Sequence, residues 1–125
     1  MRARFVNESD NIGANSSWTR TYKDKEITIT LKDVNKYLDE KSIKVIEINP
    51  NKLKHLLIDT KRDPNRVQKA DLDYPIIVVK NDEKYTNILD GQHRVLKCLT
   101  NKIDKIKAKV LELNNAPPKY KFMFK

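Results

Sequence analysis

The segment Ile88–Leu96 most constrains the fold, because a strand-like apolar end, a glycine turn and the start of a helix fall within its nine positions. The Asp90-Gly91 pair favours a turn, since glycine adopts backbone conformations that other residues avoid. The first N–H groups of a helix lack intrahelical acceptors, and the helix dipole adds positive potential where they point. This junction therefore predicts an anion site. Gln92, His93 and Arg94 would add donors there, and a ligand would approach the backbone closely at Gly91.

Strand and helix patterns alternate around this segment. Thr30 and Asp33 have the spacing of a reciprocal cap, which predicts a helix with Leu31, Val34 and Leu38 on one face. Asn49 and Pro50 have the residue types of an N-cap and a first helical position, which predicts a helix that buries Leu53, Leu56 and Leu57. A third helix is predicted over 92–100, and strands over 27–30, 44–48, 76–79, 85–89 and 106–113. This order predicts an α+β domain with a small mixed, curved sheet and flanking helices.

The same residues resemble a known family. Asp90-Gly91-Gln92-His93-Arg94 before an apolar helix, with the Pro75–Val79 run upstream and the alternating stretch Ile106–Val110 downstream, is similar to the ParB/sulfiredoxin-like superfamily. The resemblance spans residues 44–113 and does not reach the first 25 residues. It implies that this loop holds nucleotide phosphates, with ATP or CTP as the nucleotide and Mg²⁺ as its ion.

The resemblance also implies roles for single residues. Arg94 would clamp a phosphate, His93 would donate to it or move a proton, and Gly91 and Gln92 would contribute backbone amides. Sulfiredoxins carry their reactive cysteine where this chain has Gln92, so we do not expect sulfiredoxin activity. ParB proteins usually read Gly-Glu-Arg-Arg here and continue into a helix-turn-helix, so we do not expect a sequence-specific DNA clamp either.

A charged segment over residues 59–73 precedes the apolar run at 76–79 and is predicted as a long loop with one helical turn. Arg62 and Arg66 would close over a phosphate with bidentate geometry, although a solvated charged loop is the slightly favoured interpretation. Carboxylates of this segment would offer oxygen ligands to Mg²⁺ beside substrate phosphates. The candidates are Asp59, Asp63, Asp71 and Asp73.

The predicted domain covers residues 27–125; an arm precedes it and a basic tail forms its C-terminal end. Residues 1–26 are predicted as a polar, irregular arm in which Trp18 packs at the edge of the core, with base stacking as the alternative. The last nine residues are predicted as a basic tail with Tyr120, Phe122 and Phe124. The single cysteine, Cys98, lies beside apolar helix positions and is predicted as a buried structural thiol.

Charge and composition restrict the function classes. A formal net charge of +9 and a sequence pI near 9.6 favour polyanionic partners. One cysteine and no long apolar run lead us to expect a soluble, cytoplasmic protein without a signal peptide or membrane span. The leading hypothesis is a nucleotide-binding domain with Mg²⁺-dependent phosphoryl transfer or nucleoside triphosphate hydrolysis. The alternatives are a non-specific DNA- or RNA-binding module or ParB-like nuclease, and an accessory protein of a mobile element that binds a host protein.

Overall fold

The computed structural model describes residues 16–57 and 64–124. In these ranges the chain forms two β-sheets, four α-helices and two 3₁₀ helices. The strands are β1 (Ser17–Tyr22), β2 (Lys25–Thr30), β3 (Ile46–Ile48), β4 (Ile76–Asn81), β5 (Lys84–Asp90) and β6 (Ile106–Glu112). The α-helices are α1 (Leu31–Glu40), α2 (Pro64–Lys69), α3 (Gln92–Thr100) and α4 (Pro118–Phe124), and the 3₁₀ helices are Pro50–Leu56 and Leu113–Asn115.

The central sheet has four strands in the order β3-β6-β4-β5. Strand β4 pairs parallel with β6 and antiparallel with β5, while β3 pairs antiparallel with β6. The sheet is therefore mixed, as predicted. The hairpin of β1 and β2 forms a second sheet that the sequence patterns did not predict.

Two apolar clusters cover the two faces of the central sheet. On one face, α3 and the 3₁₀ helix Pro50–Leu56 pack on alternate residues of β4 and β6, such as Val78 and Ala108. On the other face, α1, α4 and the β1–β2 hairpin pack on the intervening residues, such as Ile77 and Leu111. Because side chains alternate along a strand, β4 and β6 contribute apolar residues to the clusters on both faces of the sheet.

Local sequence signals explain where several helices begin. Thr30 accepts from the backbone N–H of Asp33, and the Asp33 carboxylate accepts from the N–H of Thr30, each at 3.0 Å, so the predicted capping box of α1 is confirmed. Asn49 caps the next helix through its side-chain oxygen, 2.9 Å from the N–H of Asn51. That helix is a 3₁₀ helix, in which Leu53 is buried.

The structure corrects the prediction for both ends of the chain. Ser17–Tyr22, predicted as part of an irregular arm, is strand β1, because pairing with β2 places Trp18 opposite Ile29 and buries both. Trp18 packs in the core, as expected, with its ring edge-to-face on Phe124. The residues predicted as a basic tail form α4, which buries Tyr120, Met123 and Phe124 against the same cluster.

The remaining predicted elements agree with the structure in type. Strands β3 to β6 and helix α3 occur where they were predicted, and the charged segment contains one short helix, α2. None of the helices in the described ranges has the length and apolar character that a membrane crossing requires. The mixed α+β class is confirmed, while the ParB/sulfiredoxin-like fold stays a prediction.

Candidate functional site

Helix α3 begins directly after β5, with Gly91 as its N-cap in the left-handed conformation at φ 102°. The first intrahelical hydrogen bond runs from the N–H of Val95 to the carbonyl of Gly91, at 3.0 Å. The N–H groups of the preceding three residues therefore point out of the end of the helix, where the dipole is positive. The predicted strand, glycine turn and helix are all present.

The space beside Gly91 is filled by protein rather than left open. A Cβ atom at this position would collide with the Cγ2 methyl of Ile76 and lie 3.4 Å from the Arg94 guanidinium carbon. Glycine is thus required here for its positive φ and for the packing of β4 against the turn. The expectation that the missing side chain admits a ligand on that side is wrong, because Ile76 occupies the side.

Arg94 is a buried anchor of the junction. Its Nη1 donates to the carbonyl oxygens of Tyr74 at 3.1 Å and Pro75 at 2.8 Å, and its Nη2 lies 3.4 Å from Oδ2 of Asp90. The residue is fully buried, which sequence reasoning did not predict. Arg94 therefore holds the segment before β4 against the start of α3, and the structure gives it a positioning role.

The other three predicted polar residues of the junction are also withdrawn from solvent. Asp90, Gln92 and His93 are only 5%, 7% and 4% exposed. Sequence reasoning predicted a turn at Asp90 and donors to an anion at Gln92 and His93, but it did not predict their burial. All four polar residues of the junction are therefore buried, and hydrogen bonds made in such surroundings are stronger than in water.

A cavity of about 400 Å³ opens beside Asp90, on the α1 side of the sheet. It lies between helix α1 and strands β4 and β6, and two lysines, Lys32 and Lys109, are among the residues that line it. Lys109 also pairs with Asp39 across 3.5 Å. The complete lining is Lys32, Asn35, Asp39, Pro75, Ile77, Asp90 and Lys109.

Of these cavity residues, sequence reasoning predicted Asp90 and missed the others. Lys109 belongs to the polar half of an alternating strand, which shows that it faces away from Ala108 but not what it faces. The pairing of Ile77 with Lys109 places it beside β4, and the packing of α1 on this face brings Lys32 to the same cavity. The parallel pairing of β4 and β6 and the packing of α1 together bring these distant parts of the chain to the cavity.

Only part of the charged segment over residues 59–73 falls within the described residues. Arg66 lies on α2 with an exposed side chain. Arg62, Asp59 and Asp63 lie outside the described residues. Helix α2 is fixed to α3 through Lys97, whose Nζ donates to the carbonyls of Gln68 at 2.7 Å and Ala70 at 2.8 Å.

Two further predictions concern metal ions and the thiol. Asp71 is exposed and accepts from the N–H of Asp73 at 2.9 Å, while Asp73 lies 3.9 Å from Lys107. Across 16–57 and 64–124, no three His, Cys, Asp or Glu side chains are grouped so that they would hold a metal ion. Cys98 is buried, as predicted, and burial raises the pKa of its thiol.

Comparison with known proteins identified no relative of this chain. No protein-family model, no curated protein and no solved structure matches the chain.

Proposed function

We propose that the junction of β5 and α3, together with the cavity beside Asp90, binds the phosphates of a nucleotide such as ATP or CTP. The observation that carries the proposal is the position of Asp90, which lines the cavity and immediately precedes Gly91, the N-cap of α3. A phosphate at the end of α3 would thus lie beside a cavity with two lysines.

Two lysines and the dipole of α3 would attract an anion to this site. Lys32 of α1 and Lys109 of β6 both line the cavity, and the dipole of α3 adds positive potential at its N-terminal end. A volume of about 400 Å³ lies within the usual range for small-molecule pockets. Asp39 and Asp90, the two carboxylates of the lining, would repel a bare phosphate, so the proposed ligand is a nucleotide that carries Mg²⁺, for which these two residues would supply protein oxygens.

The residues of the junction would have different roles in nucleotide binding, according to their burial. The buried Arg94 would hold the turn in place, and the backbone N–H groups of Gln92 and His93 would face the phosphate. His93 would donate a hydrogen bond or move a proton if the bound nucleotide reacts. Phosphoryl transfer requires mainly positioning and stabilisation of charge, which donors of this kind supply.

Thermal unfolding with ATP, CTP or GTP, with and without Mg²⁺, tests the proposal. A nucleotide at about 100 times its dissociation constant would stabilise the fold by about 2.7 kcal/mol, which is readily seen as a rise in Tm. Phosphate release measured in the same mixtures would show whether the nucleotide is hydrolysed. An unchanged Tm at millimolar concentration of every nucleotide would contradict the proposal.

Two lysine variants on α1 locate the site. Lys32→Gln removes a charge from the cavity wall, whereas Lys36→Gln removes the same charge from an exposed position of α1 outside the lining. Since a hydrogen bond to a charged group contributes about 1.5–3 kcal/mol, Lys32→Gln should weaken nucleotide binding about tenfold or more. Equal affinities for the two variants would place the nucleotide elsewhere.

A further inference from the structure

A second polar cleft lies at the opposite end of β5 from the candidate nucleotide site. It has a volume of about 710 Å³ and separates the 3₁₀ helix Pro50–Leu56 from the β4–β5 hairpin. Lysines enter it from both sides, Lys52 from the helix and Lys80 and Lys84 from the hairpin, whereas Glu83 is the one acidic residue among the described residues of its lining. The cleft is therefore positively charged.

An aromatic ring accompanies these lysines. The half-buried Tyr85 lines the cleft and packs against the apolar cluster below it. The ammonium nitrogen of Lys80 lies 5.6 Å from the centroid of the Tyr85 ring. Nε2 of His55 donates to the carbonyl oxygen of Tyr85 at 3.1 Å and so ties the 3₁₀ helix to β5 across the cleft. The ring and the cation therefore lie next to each other on the β4–β5 side of the cleft.

We propose that this cleft binds single-stranded nucleic acid. A ring next to ammonium groups matches a nucleotide unit, since the base stacks on the aromatic face and the phosphate meets the cations. Duplex DNA fits less well, because its bases are stacked on each other and its grooves accept a protruding helix or ribbon rather than a cleft. The proposal does not depend on nucleotide binding at α3, since the two sites occupy opposite ends of β5.

Fluorescence anisotropy with labelled oligothymidine of about 20 nucleotides, at ~50 mM and ~200 mM salt, tests the proposal. The double variant Lys80→Glu, Lys84→Glu reverses two charges in the cleft. The matched control, Lys36→Glu with Lys44→Glu, makes the same change in net charge at two exposed lysines outside it. We expect the cleft variant to bind at least tenfold more weakly at low salt. Its slope of log affinity against log salt should fall by about 1.4, or about 0.7 for each phosphate that a lysine no longer neutralises.

Variants of the ring separate stacking from charge. Tyr85→Phe keeps the aromatic face and should bind as the parent does, whereas Tyr85→Leu keeps an apolar side chain and should bind about tenfold more weakly. Circular dichroism of each variant checks that the fold is retained.

Several results would overturn the proposal. Equal weakening by the cleft pair and the control pair would show attraction by net charge alone. Duplex of the same length bound as tightly as the single strand, or Tyr85→Leu without effect, would remove the role of the ring. Competition by polyglutamate as strong as that by unlabelled oligonucleotide would indicate an acidic protein partner instead. No binding at ~50 mM salt would exclude nucleic acid as the ligand.

Discussion

The guanidinium of Arg94 donates to the carbonyl oxygen of Pro75 across 2.8 Å, and this hydrogen bond joins the start of α3 to the residue that precedes β4. Asp90, at the end of β5, lies 3.4 Å from the same guanidinium. One side chain therefore connects the beginning of one central strand, the end of its hairpin partner and the helix that follows. The candidate nucleotide site depends on this arrangement.

Replacement of Arg94 should destabilise the fold before it alters any ligand contact. Arg94→Ala leaves the buried carboxylate of Asp90 without its cation and the two carbonyls without that donor. We expect the free energy of unfolding to fall by about 3–5 kcal/mol, measured by urea denaturation. The exposed control Lys105→Ala should change it by no more than about 0.5 kcal/mol. An Arg94→Ala variant as stable as the parent would refute the anchoring role.

Gly91 and Ile76 should be energetically coupled. Gly91→Ala places a Cβ against the Ile76 side chain and also forces alanine to adopt a positive φ. Left-handed backbone costs about 1–2 kcal/mol for residues other than glycine, and the collision adds to this. Ile76→Ala removes the colliding methyl, so the double variant should be destabilised by less than the sum of the two single variants. Strict additivity in this double-mutant cycle would show that only backbone strain matters.

The capping box of α1 should make stability depend on pH in the acid range. The backbone N–H of Thr30 holds the pKa of the Asp33 carboxyl below its ordinary value of 3.8. A lowered folded-state pKa means that the stabilisation is present above pH 3.8 and is lost as the pH falls through the folded pKa. Asp33→Asn should therefore be less stable than the parent at pH 6, with a difference that shrinks below 3.8. A difference that stays constant over this range would contradict the assignment.

Helix α4 should act as a structural part of the core. The Phe124 ring lies edge-to-face on Trp18, with 5.6 Å between the ring centroids. Phe124→Ala should cost about 3–5 kcal/mol and shift the fluorescence of Trp18, the single tryptophan, to longer wavelength as water reaches it. Lys121→Ala, on the exposed side of the same helix, is the control. Unchanged emission from Phe124→Ala would mean that the Phe124 ring does not shield Trp18.

Local signals predicted the elements whose ends are set by neighbouring residues. The Thr30 and Asp33 pair marks the start of α1, and the Asp90-Gly91 turn marks the start of α3, because caps and turns involve residues close in sequence. Strand β1 was not predicted, because its residues are mostly polar and show little alternation between apolar and polar side chains. Its stability comes from pairing with β2 and from Trp18, which contacts α4 from the far end of the chain.

The character of the candidate site was harder to predict than its position. The sequence indicates a polar turn at Gly91 but not the burial of Arg94, because its acceptors on Tyr74 and Pro75 lie nineteen or more positions away. Lys32 lines the cavity only because α1 packs on the face of the sheet where Lys109 of β6 also lines it. Contacts of this kind depend on the tertiary fold, and no local pattern encodes them.

The hydrogen bond from Arg20 to the carbonyl oxygen of Phe122, at 2.6 Å, joins residues 102 positions apart. This hydrogen bond lies on the face of the sheet that carries α1 and α4, where elements from the two ends of the chain meet. The opposite face is formed largely by β4, β5, α3 and β6, which follow one another along the chain. Closing a long loop costs more entropy than forming neighbouring contacts, so the two faces differ in contact order. We therefore expect the α3 face to assemble first during refolding. The amides of β1 should gain protection from hydrogen exchange only when α4 docks.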